Sequence, residues 1–366
     1  MPIFDQGYQH WNGEMRGLTW RWLAITQHGV RAGLQNRYVR MLLLAAWSPA
    51  LALAAMLSIW GLLERKSDLI KPIIQSLAFL SRQMIASPKD YRLQVWTLSY
   101  DYFLLIELRL SMLLILLIGP NLISQDVRLN ALPLYFSRPL RRLDYFLGKL
   151  GIITTFLAMV IVAPCIIAYV LGLLCSLDIT IVRDTWRLLV SSVAYGLIVS
   201  ISAGLLVLAL SSLSRNSRYI ALFWLGIWIV SGLTAASLEE AYSKQIARES
   251  YRAAEMEPPQ HHLIRLMGSS QVNDFEQRML EAQAHDWRPL ISYIDNLSRL
   301  RQALLGSNQA WESLAKLHPI PDRSRFLLMF RGPSYPWYWS AFVLLGLFGL
   351  SACVLHFQVK SLDRLK

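Results

Sequence analysis

The sequence predicts an all-α integral membrane protein with six transmembrane helices, an N-terminal interfacial amphipathic helix and a mostly helical outer insertion between helices 5 and 6. Two observations predict this fold class. Of the 366 residues, 54% are hydrophobic and only 16% are charged, whereas soluble domains are about a quarter charged. In addition, six apolar runs are long enough to cross the hydrocarbon core of a bilayer, which is about 30 Å thick.

The net charge of +12 also has a membrane explanation. Many arginines flank apolar runs, where they interact with anionic headgroups and set topology. We therefore expect contacts with membrane lipids and no nucleic-acid partner, although a soluble protein of this charge would suggest one. The three cysteines lie in or beside apolar runs, without the spacing of a disulfide framework or a metal site. No metal ligand is predicted.

The first element is a helix within residues 1–40, which we expect to be cytoplasmic. Leu18–Arg40 places cationic and polar side chains, such as Arg21 and Arg31, on one side and Trp22 in a broad apolar arc on the other. Such a helix ahead of a first span either lies in the interface plane or packs half-buried on protein. The interfacial interpretation is favoured because a span follows at once.

Residues 41–237 hold the first five spans, and the apolar run from Met41 is expected to act as an uncleaved signal anchor. The predicted spans are Met41–Leu63, Phe103–Leu122, Gly151–Leu174, Arg187–Leu213 and Tyr219–Ser237. The fourth carries a stripe of small residues at every fourth position, which would let another helix approach closely. The stripe consists of Ser192, Gly196, Ser200 and Gly204.

The second span contains two charged residues, Glu107 and Arg109. On a helix they point about 200° apart, so they do not pair with each other. Charges inside a span suggest function by default, here a place on a translocation path. The alternative is that both side chains snorkel to the outer interface, which the short distance to the predicted end of the span favours.

The remaining regions are an extracytoplasmic helical insertion, 238–335, a sixth span, 336–357, and a cytoplasmic tail, 358–366. Six spans place both termini and the connection 123–150 on one side of the membrane and the insertion on the other. The Lys/Arg counts of the short loops lean toward the side of the termini being cytoplasmic.

The connection 123–150 is dense in arginine and reads ISQDVRLNALPLYFSRPLRRLDYFLGKL. Its two prolines break it into short helical pieces. Aromatic and aliphatic residues supply an apolar face, and Arg138, Arg141 and Arg142 form a cationic group. From the residues alone, such a segment either docks in a groove lined by carboxylates on a partner or rests on lipid headgroups as a positive-inside loop.

The stretch SRPLRRLDYFLGKL, with an acidic residue upstream, resembles the cytoplasmic signature of the ABC-2 type permease family. In that family an acidic residue ends the second span, and a Ser-Arg-Pro block, an Arg, an aromatic residue and a Gly-Lys lead into the third. The matching positions are Asp126, Ser137, Arg138, Pro139, Arg142, Tyr145, Gly148 and Lys149. Arg128 and Arg141 complete the predicted ATPase-coupling set. The sequence departs from the family at Leu129-Asn130-Ala131, where a Gly-Thr often follows the acidic residue.

The resemblance implies a transmembrane subunit of an ABC transporter in the cell (inner) membrane, multi-pass, with both termini cytoplasmic. Two permease copies, a homodimer or a pair of close paralogues, would sit on two nucleotide-binding (ATPase) subunits. ATP and Mg²⁺ would belong to that partner and no cofactor to this chain, which is not expected to be an enzyme. Gly148-Lys149 lacks the upstream glycine and the following hydroxyl of a phosphate-binding loop.

Two alternatives remain open. The chain could be an ABC-type mechanotransmission subunit that acts on an extracytoplasmic partner through its insertion. It could also be a membrane-anchored enzyme with its site in 238–335, although no HExxH or Ser-His-Asp arrangement occurs there. The candidate residues for such a site are His261, His262, Asp274, His285, Asp286 and His318.

Overall fold

The computed structural model describes residues 20–66, 82–131, 135, 141–176, 180–256, 281–317, 330, 332 and 334–362. Within these ranges the chain is helical with short turns and contains no strand. Six helical stretches are long and apolar enough to cross a membrane. The predicted fold class is therefore confirmed. The spans, first to sixth, are Arg37–Glu64, Pro88–Arg128, Leu143–Ser176, Thr180–Leu213, Ser217–Ile246 and Trp337–Gln358.

Several spans are built from more than one helical piece. The second consists of a 3₁₀ turn and two α-helices, Pro88–Tyr91, Arg92–Ile118 and Asn121–Arg128. The third and fifth each contain a π-helical turn, in the order Arg142–Leu157, Ala158–Val162, Ala163–Ser176 and Ser217–Leu225, Gly226–Val230, Ser231–Met256. The remaining described helices are Arg21–Gln35, Arg82–Ala86, Arg288–Ile291, Tyr293–Leu305, Ser307–Leu317 and Trp337–Leu362.

The second and fourth spans form the centre of the bundle. In each of them 56% of the apolar window is buried, against 17–22% for the first, fifth and sixth spans. The fourth span packs against the second, third and sixth, and the first span packs along the third. The outer spans therefore direct most of their apolar surface away from the chain, toward lipid or a partner.

The small-residue stripe of the fourth span faces the third span. A Cβ atom added at Gly204 would lie 2.7 Å from Leu150 Cδ1, and one at Gly196 would lie 3.0 Å from Val162 Cγ2. The hydroxyls of Ser192 and Ser200 are buried and donate to carbonyls of their own helix. The two backbones approach closely because neither glycine carries a side chain.

The N-terminal helix, Arg21–Gln35, packs along the beginning of the third span. A Cβ at Gly33 would lie 2.8 Å from the ring of Phe156, so this side of the helix is closed by protein. His28 on the other side is exposed. The face against the third span thus fits the alternative of a helix packed on protein. Asn36 separates this helix from the first span and caps the latter, because its side-chain oxygen accepts from the Tyr38 N–H at 3.0 Å.

The main helix of the second span begins at Arg92 rather than at Phe103. The continuous apolar run begins only at Phe103, after the charged Asp101, whereas the helix already starts at Arg92, whose guanidinium is buried in ion pairs. It binds Glu64 at 2.6 Å and Asp184 at 3.2 Å, which joins the ends of the first, second and fourth spans. Bidentate pairing with a carboxylate is the geometry in which a buried arginine is best satisfied.

A helix of the predicted outer insertion, Tyr293–Leu305, enters the bundle and packs against the second, fourth and sixth spans. Near its start, the Tyr293 hydroxyl hydrogen-bonds the Ser202 hydroxyl at 3.0 Å. Ser202 lies roughly 33 Å along the fourth span from Thr180, at the helical rise of about 1.5 Å per residue. The sequence analysis treated this stretch as part of a separate outer region, whereas the structure places it between the spans.

Candidate functional site

The best-defined polar cluster joins the end of the second span to the beginning of the third. One carboxylate oxygen of Asp126 accepts a hydrogen bond from the Tyr145 hydroxyl at 2.6 Å. The same oxygen forms an ion pair with Lys149 Nζ at 2.7 Å. The Lys149 ammonium also lies 5.4 Å from the centre of the Tyr145 ring. We call these three residues the Asp126 cluster. It brings together three positions that the sequence analysis assigned to ATPase coupling.

The Asp126 cluster is largely shielded from solvent. Tyr145 is 2% exposed, and the side chains of Lys149 and Asp126 are 14% and 13% exposed. An exposed ion pair contributes only about 0–1 kcal/mol, but removing one partner of a buried pair costs about 3–5 kcal/mol, because a charge is left uncompensated. A partly buried pair with an additional hydrogen bond lies between these limits, so the cluster holds the two spans together.

The helix that carries Asp126 ends in a defined turn. The Ala131 N–H donates to the Asp126 carbonyl at 2.9 Å, and the Asn130 N–H donates to the Val127 carbonyl at 3.3 Å. Asn130 has a φ of 51°, in the left-handed region. This is the Schellman pattern of helix termination, in which asparagine is tolerated in place of glycine. Leu129-Asn130-Ala131, the residues at which the sequence departs from the family, therefore end the helix.

Gly148 lies against the N-terminal helix. A Cβ at this position would be 2.7 Å from Ile25 Cβ, so any larger residue would push the helix away. The Gly148 carbonyl accepts a hydrogen bond from the buried Thr26 hydroxyl at 3.0 Å. The start of the third span is therefore held by Asp126 on one side and by the N-terminal helix on the other.

The other predicted coupling residues differ in how far the structure describes them. Arg128 and Arg141 are exposed. Ser137, Arg138 and Pro139 lie outside the described residues, as does the side chain of Arg142.

Tyr135 is the one described position between Ala131 and Arg141. Its ring centre lies 5.9 Å from that of Tyr145. Partial burial, with the charge of Asp126 as a second cause, raises the pKa of the Tyr135 hydroxyl. An aromatic contact thus links the connection to the Asp126 cluster.

Glu107 and Arg109 lie in the middle of the helix Arg92–Ile118, so the expectation that both snorkel is wrong for Glu107. Its carboxyl is 0% exposed, and neither oxygen has a hydrogen-bond partner among the described residues. Arg109 is exposed on another face. The two side chains point in different directions, as their spacing predicted. Snorkelling was expected because both residues lie near the predicted outer end of the span, but the helix begins further out, at Arg92.

The helix that enters the bundle packs against the second span. At its start, the Ser292 hydroxyl accepts a hydrogen bond from the Asp295 N–H at 3.2 Å. A stronger connection lies one turn and a half further on, where the buried Arg301 forms an ion pair with Asp101 of the second span at 2.8 Å. Sequence reasoning missed this pair because its partners are far apart in the chain.

Two candidates for an enzymatic site can be placed. His285 is exposed, and its Nδ1 lies 3.4 Å from a carbonyl of its own helix. Asp286 is paired with Arg288 at 2.9 Å. The part of the chain that the structure describes contains no group of three His, Cys, Asp or Glu residues able to hold a metal ion. His261, His262, Asp274 and His318 lie outside the described residues.

Comparison with known families gives one result. The model of a family described as ABC-2 family transporter protein matches residues 33–357. The match extends from the end of the N-terminal helix through the sixth span, and it includes the Asp126 cluster and the segment 238–335. A comparison with curated proteins found no match to this chain.

Proposed function

Because the chain belongs to the ABC-2 family of transporter proteins, we propose that it couples ATP hydrolysis by a separate nucleotide-binding subunit to movement of its own spans. Family membership and the six apolar helices make it a multi-pass membrane protein and a permease component of an ABC transporter. The finer statements that follow are our proposal. The observation that carries them is the Asp126 cluster.

The first step is the transfer of motion from the connection 123–150 to two spans at once. Asp126 lies in the last turn of the helix Asn121–Arg128, while Tyr145 and Lys149 lie at the start of the third span. A displacement of the connection therefore moves the second and third spans together, because the ion pair and the short hydrogen bond resist their separation.

The second step carries the motion to the first span. The N-terminal helix contacts Gly148 closely and is followed at once by the first span, with only Asn36 between them. A shift of the third span's beginning therefore displaces the N-terminal helix. Packed helices pass on such small shifts because well-packed interfaces deform little.

The partner is a pair of nucleotide-binding subunits, which hold ATP and Mg²⁺. The exposed Arg128 and Arg141, with Arg138 and Arg142 of the same connection, would face carboxylates on that partner. Two permease copies, identical or closely related, complete the transporter. In this proposal the Asp126 cluster and both termini lie on the cytoplasmic side of the cell (inner) membrane.

A second candidate function is force transmission to an extracytoplasmic partner. It is supported by the helix Tyr293–Leu305, which connects the segment 238–335 to the spans through the Arg301–Asp101 ion pair and the Tyr293–Ser202 hydrogen bond. A movement of the second span would shift this helix as well. Export and force transmission share the ATPase-coupling step. They differ in whether the extracytoplasmic side of the protein releases a substrate or moves a partner.

The test of the proposed coupling is co-purification of the tagged chain with the nucleotide-binding subunit encoded beside it, followed by an ATPase assay in lipid vesicles. Charge reversal of Arg128 and Arg141 to Glu should reduce complex formation and stimulated ATP hydrolysis at least tenfold while membrane insertion stays intact. Arg183→Glu is the matched control, because Arg183 is exposed near the opposite end of the bundle. Full stimulation in the double variant, or purification without any nucleotide-binding partner, would refute the proposal.

A further inference from the structure

The second span is interrupted at Gly119-Pro120, between the helices Arg92–Ile118 and Asn121–Arg128. Pro120 occupies the N-cap position of the second helix and has no side-chain oxygen to cap it. The first N–H groups of a helix have no partner within that helix, and the side chain of the N-cap residue usually accepts from one of them. At this interruption the acceptor comes from a different span.

The hydroxyl of Ser211, near the end of the fourth span, takes the place of the missing N-cap side chain. Its oxygen accepts hydrogen bonds from the Ile123 N–H at 3.1 Å and the Ser124 N–H at 3.0 Å. The same hydroxyl donates to the Pro120 carbonyl at 3.1 Å. Ser211, Ile123 and Ser124 are all buried, so water does not compete for these hydrogen bonds. We call the Ser211 hydroxyl and its three hydrogen bonds the interhelical cap.

The second and fourth spans also touch directly beside the interhelical cap. A Cβ atom added at Gly119 would lie 2.6 Å from Val207 Cγ2. Val207 precedes Ser211 by one turn on the same face of the fourth span. The helix Asn121–Arg128 packs mainly on the fourth span. Its connection to the rest of the second span runs through a glycine and a proline, which is where helices bend most readily.

The opposite end of the helix Asn121–Arg128 is held by the Asp126 cluster. There the Asp126 carboxylate binds Tyr145 and Lys149 of the third span. A helix of 8 residues is thus fixed at its start to the fourth span and in its last turn to the third span. Any displacement of this helix acts on both spans.

We propose that Ser211 is a positioning residue for the coupling step, because it makes the helix Asn121–Arg128 and the adjoining end of the fourth span move together. The two would move relative to the helix Arg92–Ile118, with the bend at Gly119-Pro120. This inference rests on the proposed function, in which the connection 123–150 receives motion from the nucleotide-binding subunits. It adds the fourth span to the spans that the motion reaches.

The first measurement is hydrogen–deuterium exchange of the Ile123 and Ser124 amides in the full-length chain in lipid vesicles, without nucleotide. Ser211→Ala should make both amides exchange about tenfold faster, because buried donors that lose their acceptor are left unsatisfied. Ser212→Ala is the matched control, since the half-buried Ser212 hydroxyl donates to the Ala209 carbonyl of its own helix at 2.7 Å. Unchanged exchange in Ser211→Ala would overturn the proposal.

The second measurement separates a positioning role from a purely structural one. Spin labels are placed at Gln125 and Leu213, which are exposed on the two helices that the interhelical cap joins. The labelled chain is diluted with unlabelled chain, assembled with the nucleotide-binding subunit in lipid vesicles, and the distance between the labels is measured with and without a non-hydrolysable ATP analogue. The distance should stay constant in the Ser211 protein and in Ser212→Ala, and it should change on nucleotide binding in Ser211→Ala.

A nucleotide-dependent distance with Ser211 in place, or the same constant distance in Ser211→Ala, would refute the positioning role. If Ser211→Ala does not fold, Ser211→Thr and Ser211→Val replace it, because the two side chains have nearly the same shape and the hydroxyl is present in Thr and absent in Val. Thr should then behave as the wild type and Val as described for Ala. Failure of the coupling proposal is recognised separately, as the absence of a complex with the nucleotide-binding subunit.

Discussion

Replacing Asp126 by Asn tests the Asp126 cluster most directly, because the substitution removes a charge and keeps the shape. A hydrogen bond to a charged acceptor is about twice as strong as one between neutral groups, so weakening the Tyr145 bond costs about 1 kcal/mol. Lys149, which is 14% exposed, would then face a neutral amide, at a cost of about 1–3 kcal/mol. We expect a loss of about 2–4 kcal/mol.

The assay is thermal unfolding of the purified full-length chain in one detergent, followed by fluorescence-detected size exclusion. At about 2 °C per kcal/mol for a chain of this size, Asp126→Asn should lower Tm by about 4–8 °C. Asp144→Asn is the control in the same region, because Asp144 forms no ion pair in the part of the chain that the structure describes. Its Tm should change by no more than about 1 °C, as for other surface substitutions.

A double-mutant cycle with Lys149→Gln measures the pair itself. If the two residues interact as the structure shows, Asp126→Asn with Lys149→Gln should be less destabilised than the sum of the single variants, by about 1–3 kcal/mol. Strictly additive effects would show that the second and third spans are not joined through this ion pair. The mechanical argument for coupling would then lose its basis.

Two further predictions concern the packing of the bundle. Arg301→Met should cost about 3–5 kcal/mol in unfolding because it leaves Asp101 without its cation, and adding Asp101→Leu should recover part of this loss. Gly204→Leu should destabilise by about 1–3 kcal/mol through overpacking against the third span, while Gly346→Leu, where no atom lies within 4 Å of an added Cβ, should change Tm little.

Much of the fold could be predicted from apolar runs alone. The first span and the sixth span are long, continuous hydrophobic stretches, and period and length suffice to recognise them. The second span shows where this method stops. The continuous apolar run starts at Phe103, after Asp101, but the helix extends back to Arg92, and both Asp101 and Arg92 are paired with charged residues of other helices. Such pairing depends on other helices and leaves no local pattern.

The position of the helix Tyr293–Leu305 between the spans could not be predicted for the same reason. It carries Asp295, Arg299 and Arg301, so its composition is typical of a surface helix, yet Arg301 is buried. Arg301 and Tyr293 have their partners on the second and fourth spans instead of in water. By contrast, the sequence order of Asp126, Tyr145 and Lys149 matched the family pattern well enough to mark the cluster, although their mutual contact required the fold.

The position of the helix Tyr293–Leu305 also constrains how the protein is made. Arg301 and its partner Asp101 are 200 residues apart in the chain. During synthesis the second span therefore enters the membrane long before Arg301 has been made. Since membrane helices insert first and associate afterwards, the Asp101 carboxylate lies in an incomplete bundle until the helix that carries Arg301 has been made. Completion of the sixth span then closes the last contact of the helix, so assembly of this bundle finishes from the C-terminal end.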